Sequence, residues 1–135
     1  MTQEDKELLL KELCARLPYG VKCYDEAQKE TGIFKHFEYE GFGRIHTGRG
    51  VRFIENIKPY LFPLSSMTDE QKEEYHYIVN YISPDDTENW AEGEFVYVNQ
   101  IEQLLHFYHI NHLDWRGLIE KGLALDATGL GIYIS

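Results

Sequence analysis

The feature that most constrains this chain is a change in the spacing of its apolar residues just after Pro18. Before it, Leu9, Leu10, Leu13, Cys14 and Leu17 recur at helical intervals and form one stripe. Thr2 is placed to cap that helix, Glu4 and Asp5 suit its N-terminal dipole, and Pro18-Tyr19-Gly20 ends it. After it the period falls to about two, the spacing of a strand. Val21 and Cys23 alternate with Lys22 and Tyr24, and Ile33 to Tyr39 is a β-rich run. Gly41, Gly43 and Thr47-Gly48-Arg49-Gly50 supply turns, with Ile45 and Val51 to Ile54 as further strand material. Residues 20–57 therefore read as an antiparallel meander.

Beyond the meander the helical period returns. Lys58 to Leu64 is extended, because Pro59 and Pro63 each disfavour helix in the residue before them. Thr68 and Gln71 form a capping-box start. The helix it opens carries Tyr75, Ile78, Val79 and Ile82 on one face and stops at Ser83-Pro84. An acidic loop spans 84–94, and Phe95 to Val98 reads as a short strand. Asn99 to Glu102 is a second capping box, before a stripe of Ile101, Leu104, Leu105 and Tyr108. Asp114 is placed to cap a last short helix, Trp115 to Lys121, closed by Gly122, and Gly131 to Ile134 reads as a terminal strand. The expected fold is α+β in a single globular domain over residues 1–135. It has an N-terminal helix and a small antiparallel sheet of three to five strands, with two or three helices packed on one face.

Charge narrows the partners. The chain has a net charge of −10, unevenly placed: residues 68–94 hold nine acids and one base, and residues 1–67 balance. Such a field repels duplex nucleic acid, whose binding requires phosphate neutralisation. It suits a partner protein with a basic surface, for which Glu73, Glu74, Asp85 and Asp86 are the candidate contacts. Cys14 and Cys23 form no CxxC pair or metal-ligand spacing, so buried free thiols in a reducing compartment are expected. The N-terminus opens on acids and resembles no secretory signal, and no run approaches the ~20 apolar residues of a membrane span. A cytoplasmic protein is expected.

Three stretches, LLLKELCARLPYGV from Leu8, KPYLFPLSSMTDEQKEEY from Lys58 and NHLDWRGLIEKGLALDATGL from Asn111, carry a resemblance. Together they resemble a family of small uncharacterised proteins from gut Bacteroidetes genomes and their associated phages and mobile elements. The resemblance spans about 50 of the 135 positions and carries over no activity or site residue. It implies a bacterial or phage setting, in which a small acidic protein fits an accessory role on host machinery.

Two further patterns bear on chemistry. The segment 41–52 joins glycines to Arg44, His46, Arg49 and Arg52. Glycines admit an anion to backbone N–H groups, and arginine grips phosphate through paired hydrogen bonds. A nucleotide or phosphate-bearing signalling molecule is the alternative ligand, although the segment is neither a Walker loop nor a dinucleotide fingerprint. His106, His109 and His112 are spaced like metal ligands, but on one straight helix the outer pair diverges by about 120°. No metal or cofactor is expected. There is no nucleophile elbow and no Cys–His signature, which leaves enzymatic activity open and tilts the reading toward binding. Nothing in the sequence fixes the oligomeric state.

Overall fold

The helical stripe and the alternating run become a helix laid on a sheet. The computed structural model describes the backbone at residues 1–39, 42–45, 52–81 and 90–133. Within these it describes the side chains at 1–36, 53–80 and 100–133. Helix α1 (Gln3–Arg16) starts where Thr2 Oγ1 accepts a hydrogen bond from Asp5 N at 3.0 Å, the expected cap. Strands β1 (Lys22–Asp25), β2 (Glu30–Tyr39), β3 (Phe42–Ile45), β4 (Arg52–Phe53) and β5 (Ile57–Pro63) follow. They pair antiparallel in the order β4-β3-β2-β1-β5. Lys22 faces Ile33 and Cys23 faces Pro59 across the ladders.

The α+β architecture is as expected, but the sheet is mixed at one edge. Two-residue strands β6 (Leu113–Asp114) and β7 (Leu125–Asp126) pair in parallel with β5. Residues 58–63, with their two prolines, are thus part of a central strand and not merely a connector, and Leu64 opens the turn after it. Pro59 and Pro63 lack N–H donors, and the neighbouring ladder uses the donors around them: Phe62 N donates to His112 O at 2.8 Å, and Leu61 O accepts from Ala127 N at 2.8 Å.

Between β5 and β6 lie helices α2 (Asp69–Tyr81) and α3 (Trp90–Ile110). The strand expected at Phe95 to Val98 is instead inside α3, and the cap expected at Asn99 falls mid-helix. A four-residue β-rich run has no preference strong enough to interrupt a helix of 21 residues that continues on both sides. Trp115 to Lys121 forms turns and not the expected helix. Asp114 does cap them: its carboxylate accepts from Leu118 N at 2.8 Å and Ile119 N at 2.9 Å, with Gly122 at φ 74° closing the segment. Of the strand expected at Gly131 to Ile134, residues 131–133 form no strand and Ile134 lies outside the described residues; the last described strand is Leu125–Asp126.

Among the described residues, two apolar clusters fill the interior. Leu9 and Leu13 of α1 pack on Val21, Cys23, Phe34, Ile57, Leu61 and Leu118, all buried. Ile78, Phe107 and Leu113 form the second cluster, with Tyr75, Leu104 and Tyr108 against it. Cys23 is buried and its thiol is pushed up by desolvation, whereas Cys14 is exposed, contrary to the expected pair of buried thiols. The buried face of α1 is Leu9, Glu12, Leu13 and Arg16, one residue round from the expected stripe.

The rotation has an ionic cause. Glu12 and Arg16 are both 0% exposed. Arg16 Nε donates to Glu12 Oε1, and Arg16 Nη2 donates to the Leu113 carbonyl of β6. Arg116 Nε lies 2.7 Å from Glu12 Oε2, out of line for a hydrogen bond but close enough for an ion pair. The Arg116 guanidinium also sits 4.2 Å from the Trp115 ring centroid. His109 and His112 share this basic surrounding. Trp115 Nε1 lies 3.3 Å from His109 Nε2. An indole N–H only donates, so that imidazole nitrogen is the unprotonated acceptor. Burial, then the charges of Arg16 and Arg116, hold His109 down to about 4. Burial, Arg16 and Lys22 do the same to His112.

Two predictions follow from the ionic cluster. Arg16→Ala leaves the buried Glu12 carboxylate with only the Arg116 ion pair and the Leu113 carbonyl without this donor, and should cost about 3 kcal/mol in urea unfolding. The paired replacement Glu12→Leu with Arg16→Met should cost less than Arg16→Ala alone. The histidines set a pH dependence. Their folded pKa values of about 4 lie below the ordinary 6.5, so between these limits the unfolded chain binds more protons. Stability from this source is fully present above about pH 6.5 and is lost as pH falls toward about 4. His112→Asn removes one titrating ring yet tolerates the left-handed φ of 54° at that position. Urea midpoints measured across that range should decline less steeply in this variant.

Candidate functional site

Helices α2 and α3 pair because their ends are tied together. At the start of α2, Thr68 Oγ1 accepts from Gln71 N at 3.1 Å, and Gln71 Oε1 accepts from Thr68 N at 2.9 Å. This is the reciprocal capping box expected from sequence. Gln71 Nε2 then donates to Asn111 Oδ1 at 3.2 Å, at the far end of α3. At the opposite end Gln100 Nε2 reaches the carbonyls of Ile78 and Val79 at 3.4 and 3.3 Å. Between these ties the apolar contact is Tyr75, Ile78, Leu104, Phe107 and Tyr108.

A groove of about 290 Å³ opens along this helix pair. From α2 it is lined by Glu74, Tyr77 and Ile78, and from α3 by Glu102, Gln103, His106 and Phe107. These are i, i+3, i+4 neighbours on α2 and i, i+1, i+4, i+5 neighbours on α3, so each helix contributes one face. Ile78 at 4% and Phe107 at 1% exposure make an apolar floor, and Tyr77 at 57% stands open to solvent. Glu74 and Glu102 are exposed carboxylates on opposite helices. His106 Nδ1 lies 2.9 Å from Tyr19 Oη, which fixes one end of the groove against the turn after α1. The arrangement offers two negative charges beside a small apolar well, with no lysine or arginine among the described residues of its lining.

A second cavity, about 350 Å³ beside Pro63, Leu64, Asp114, Trp115 and Glu120, has its carboxylate Asp114 already engaged. Asp114 bonds the two backbone N–H groups of the turn it caps.

The four partner-binding candidates divide. Glu73 and Glu74 are exposed on α2, and Glu74 lines the groove. Asp85 and Asp86 lie outside the described residues, as do His46 and Arg49. Arg44 is paired with His36 and Arg52 with Gly43 in the strand register, so the two arginines sit on neighbouring strands β3 and β4. The three histidines do not converge. His106 is exposed, His109 is buried, and His112 lies past the end of α3 with its ring stacked 3.7 Å from that of Tyr133. Among the described residues no group of three His, Cys, Asp or Glu is placed to hold a metal ion. Nor is any described helix long and apolar enough to cross a membrane.

Sequence reasoning did not group Tyr77, Glu102 and His106: it weighed Glu102 as part of a capping box and His106 as one of three spaced histidines. A signal existed: Glu102, His106 and the buried Phe107 repeat at helical spacing once α3 is read as continuous through 95–102. Comparison of the chain with family models, curated proteins and solved structures gave no match.

Proposed function

We propose that this chain is a non-enzymatic interaction protein whose acidic α2–α3 face engages a basic surface on a partner protein. The observation behind this reading is the groove itself. Glu74 and Glu102 rim an apolar floor of Ile78 and Phe107, inside a chain whose net charge is −10. Opposite charge on the partner speeds encounter and sets orientation, while apolar contact supplies affinity. The sequence resemblance supports an accessory protein of a bacterial or phage mobile element, acting on host machinery. A phosphate-bearing ligand at Arg44, His46, Arg49 and Arg52 is the second reading, supported by the glycine–arginine pattern of segment 41–52.

The two readings part under mutation. Glu73→Lys with Glu74→Lys should weaken binding to a lysine-rich polypeptide by about tenfold or more, near 1.4 kcal/mol. Binding by the unaltered chain should fall steeply between 0.05 and 0.5 M salt, as the screening length shrinks below about 10 Å. Titration calorimetry reads both effects. Unchanged affinity at low salt in the double variant would remove the acidic face from consideration. Arg44→Ala with Arg52→Ala should leave polypeptide binding intact.

A further inference from the structure

The charge of the α2–α3 face accounts for attraction, but not for the apolar well beneath it. Resting on the reading above, we propose that this well is an anchor pocket for a basic amphipathic helix. One large apolar side chain of that helix settles on the floor of Ile78 and Phe107, and lysines or arginines one turn to either side meet Glu74 and Glu102.

Size, shape and charge each select this occupant. The volume of about 290 Å³ lies at the lower edge of the ~300–1,000 Å³ typical of pockets that enclose a small molecule. It accommodates one large side chain, or two small ones, more readily than a cofactor. Its two walls are helices, whose axes pack about 8–10 Å apart, so the groove between them is the kind into which a third helix lays its apolar ridge. The rim carboxylates come from both walls, so a cation on each side of the anchor finds a partner. A second copy of this chain is a poor occupant, because it would bring a further −10 to an already acidic face. Nucleic acid is disfavoured by the same field. Gln103, half-exposed in the α3 wall, adds amide donors and an acceptor that suit backbone or side-chain amides of a peptide.

Tyr77 and His106 give the well ends as well as sides. His106 is held by Tyr19 at 2.9 Å, so one end of the groove is built from a fixed ring and not a free one. Tyr77 is exposed in the α2 wall, where an aromatic side chain offers a large contact area at low entropic cost. An anchor closed in by Phe107, Ile78 and Tyr77 is shielded from water, the condition under which one residue dominates an interface.

The test uses fluorescein-labelled synthetic helices of ~16 residues, long enough for helix formation. One carries a lysine-rich face and Leu or Phe anchors at i and i+4; a second has the anchors replaced by Ala at equal charge. Fluorescence anisotropy with the full chain should show the anchored peptide binding about tenfold or more tightly, the increment expected for burying one such side chain. Gln103→Trp fills the well and should erase that preference while keeping the salt dependence. Glu102→Lys, at an exposed rim position, should weaken both peptides and retain the preference. Melting temperatures of both variants establish that the fold persists, and the peptide pair tests the inference even without them. Equal binding of anchored and anchor-free peptides, with salt dependence kept, overturns the anchor pocket and leaves the acidic-face reading standing. No binding of either peptide at low salt overturns both. Displacement of the anchored peptide by spermidine at equal concentration overturns the helix in favour of a small polycation.

Discussion

The buried contact between Glu12, Arg16 and the Leu113 carbonyl sets how the two ends of this chain meet. Two charges with no solvent exposure are expensive, and they persist only when each finds partners that replace water. Here Arg16 spans from a helix near the N-terminus to a carbonyl 97 residues later. The Leu113 carbonyl belongs to β6, which lies beside β5. The same arginine therefore registers α1, the sheet edge and the chain leaving α3. Arg116 adds a second cation against the same carboxylate, so Glu12 answers two guanidinium groups.

That registration carries outward. His112 leaves α3 in a left-handed conformation with φ 54°, which costs a non-glycine residue about 1–2 kcal/mol. Its carbonyl accepts from Phe62 N, and its ring stacks on Tyr133, so the strain is offset by a ladder bond and an aromatic contact. Tyr133 Oη in turn accepts from Lys22 N at 2.8 Å and donates to Tyr60 O at 2.8 Å, joining the C-terminal segment to β1 and β5. Burial drives the Tyr133 phenol upward, so it remains a neutral donor. The exit direction of α3 is thus fixed at its last residues, and through Gln71 and Asn111 so is the start of α2. The groove between these helices inherits its shape from contacts at one end of the hairpin, remote from the side chains that line it.

How much of this is legible in sequence depends on the range of each interaction. The Thr2 cap, the Thr68–Gln71 capping box and the Asp114 cap are satisfied within three to five residues, and sequence alone located all three. Strands β1 and β2 announced themselves by alternation. The failures are non-local. Phe95 to Val98 has strand propensity, yet helical neighbours on both sides override it. Glu12 and Arg16 look like an ordinary surface pair at i, i+4, and nothing nearby in sequence says that Leu113 will bury them. Their spacing with Leu9 and Leu13 was the available hint, since residues 9, 12, 13 and 16 lie on one helical face. The parallel pairing of β6 and β7 rests on two residues each, too few for any periodic signal. At the candidate site, Glu73 and Glu74 were visible as part of a charge excess. Tyr77, Glu102 and His106 were not, because their grouping exists only once two helices are laid side by side.

The arrangement of charge and apolar surface on that helix pair bears on why the acids are there. A helix face that serves solubility alone intersperses carboxylates with other polar groups and keeps large apolar side chains inward. On α2 and α3, Tyr77, Val79, Ile101 and Ile110 are each more than one-third exposed, beside Glu73, Glu74 and Glu102. Single exposed apolar residues need no explanation, but Tyr77 stands beside a well floored by Ile78 and Phe107 and rimmed by Glu74 and Glu102. Dense negative charge beside such a surface discourages self-association, since two copies would have to bring like charges together before any apolar contact formed. The same carboxylates leave the well open to a partner of opposite charge. On the proposed reading, acidic residues so placed act as a selector: they disfavour a like-charged copy and favour a basic segment.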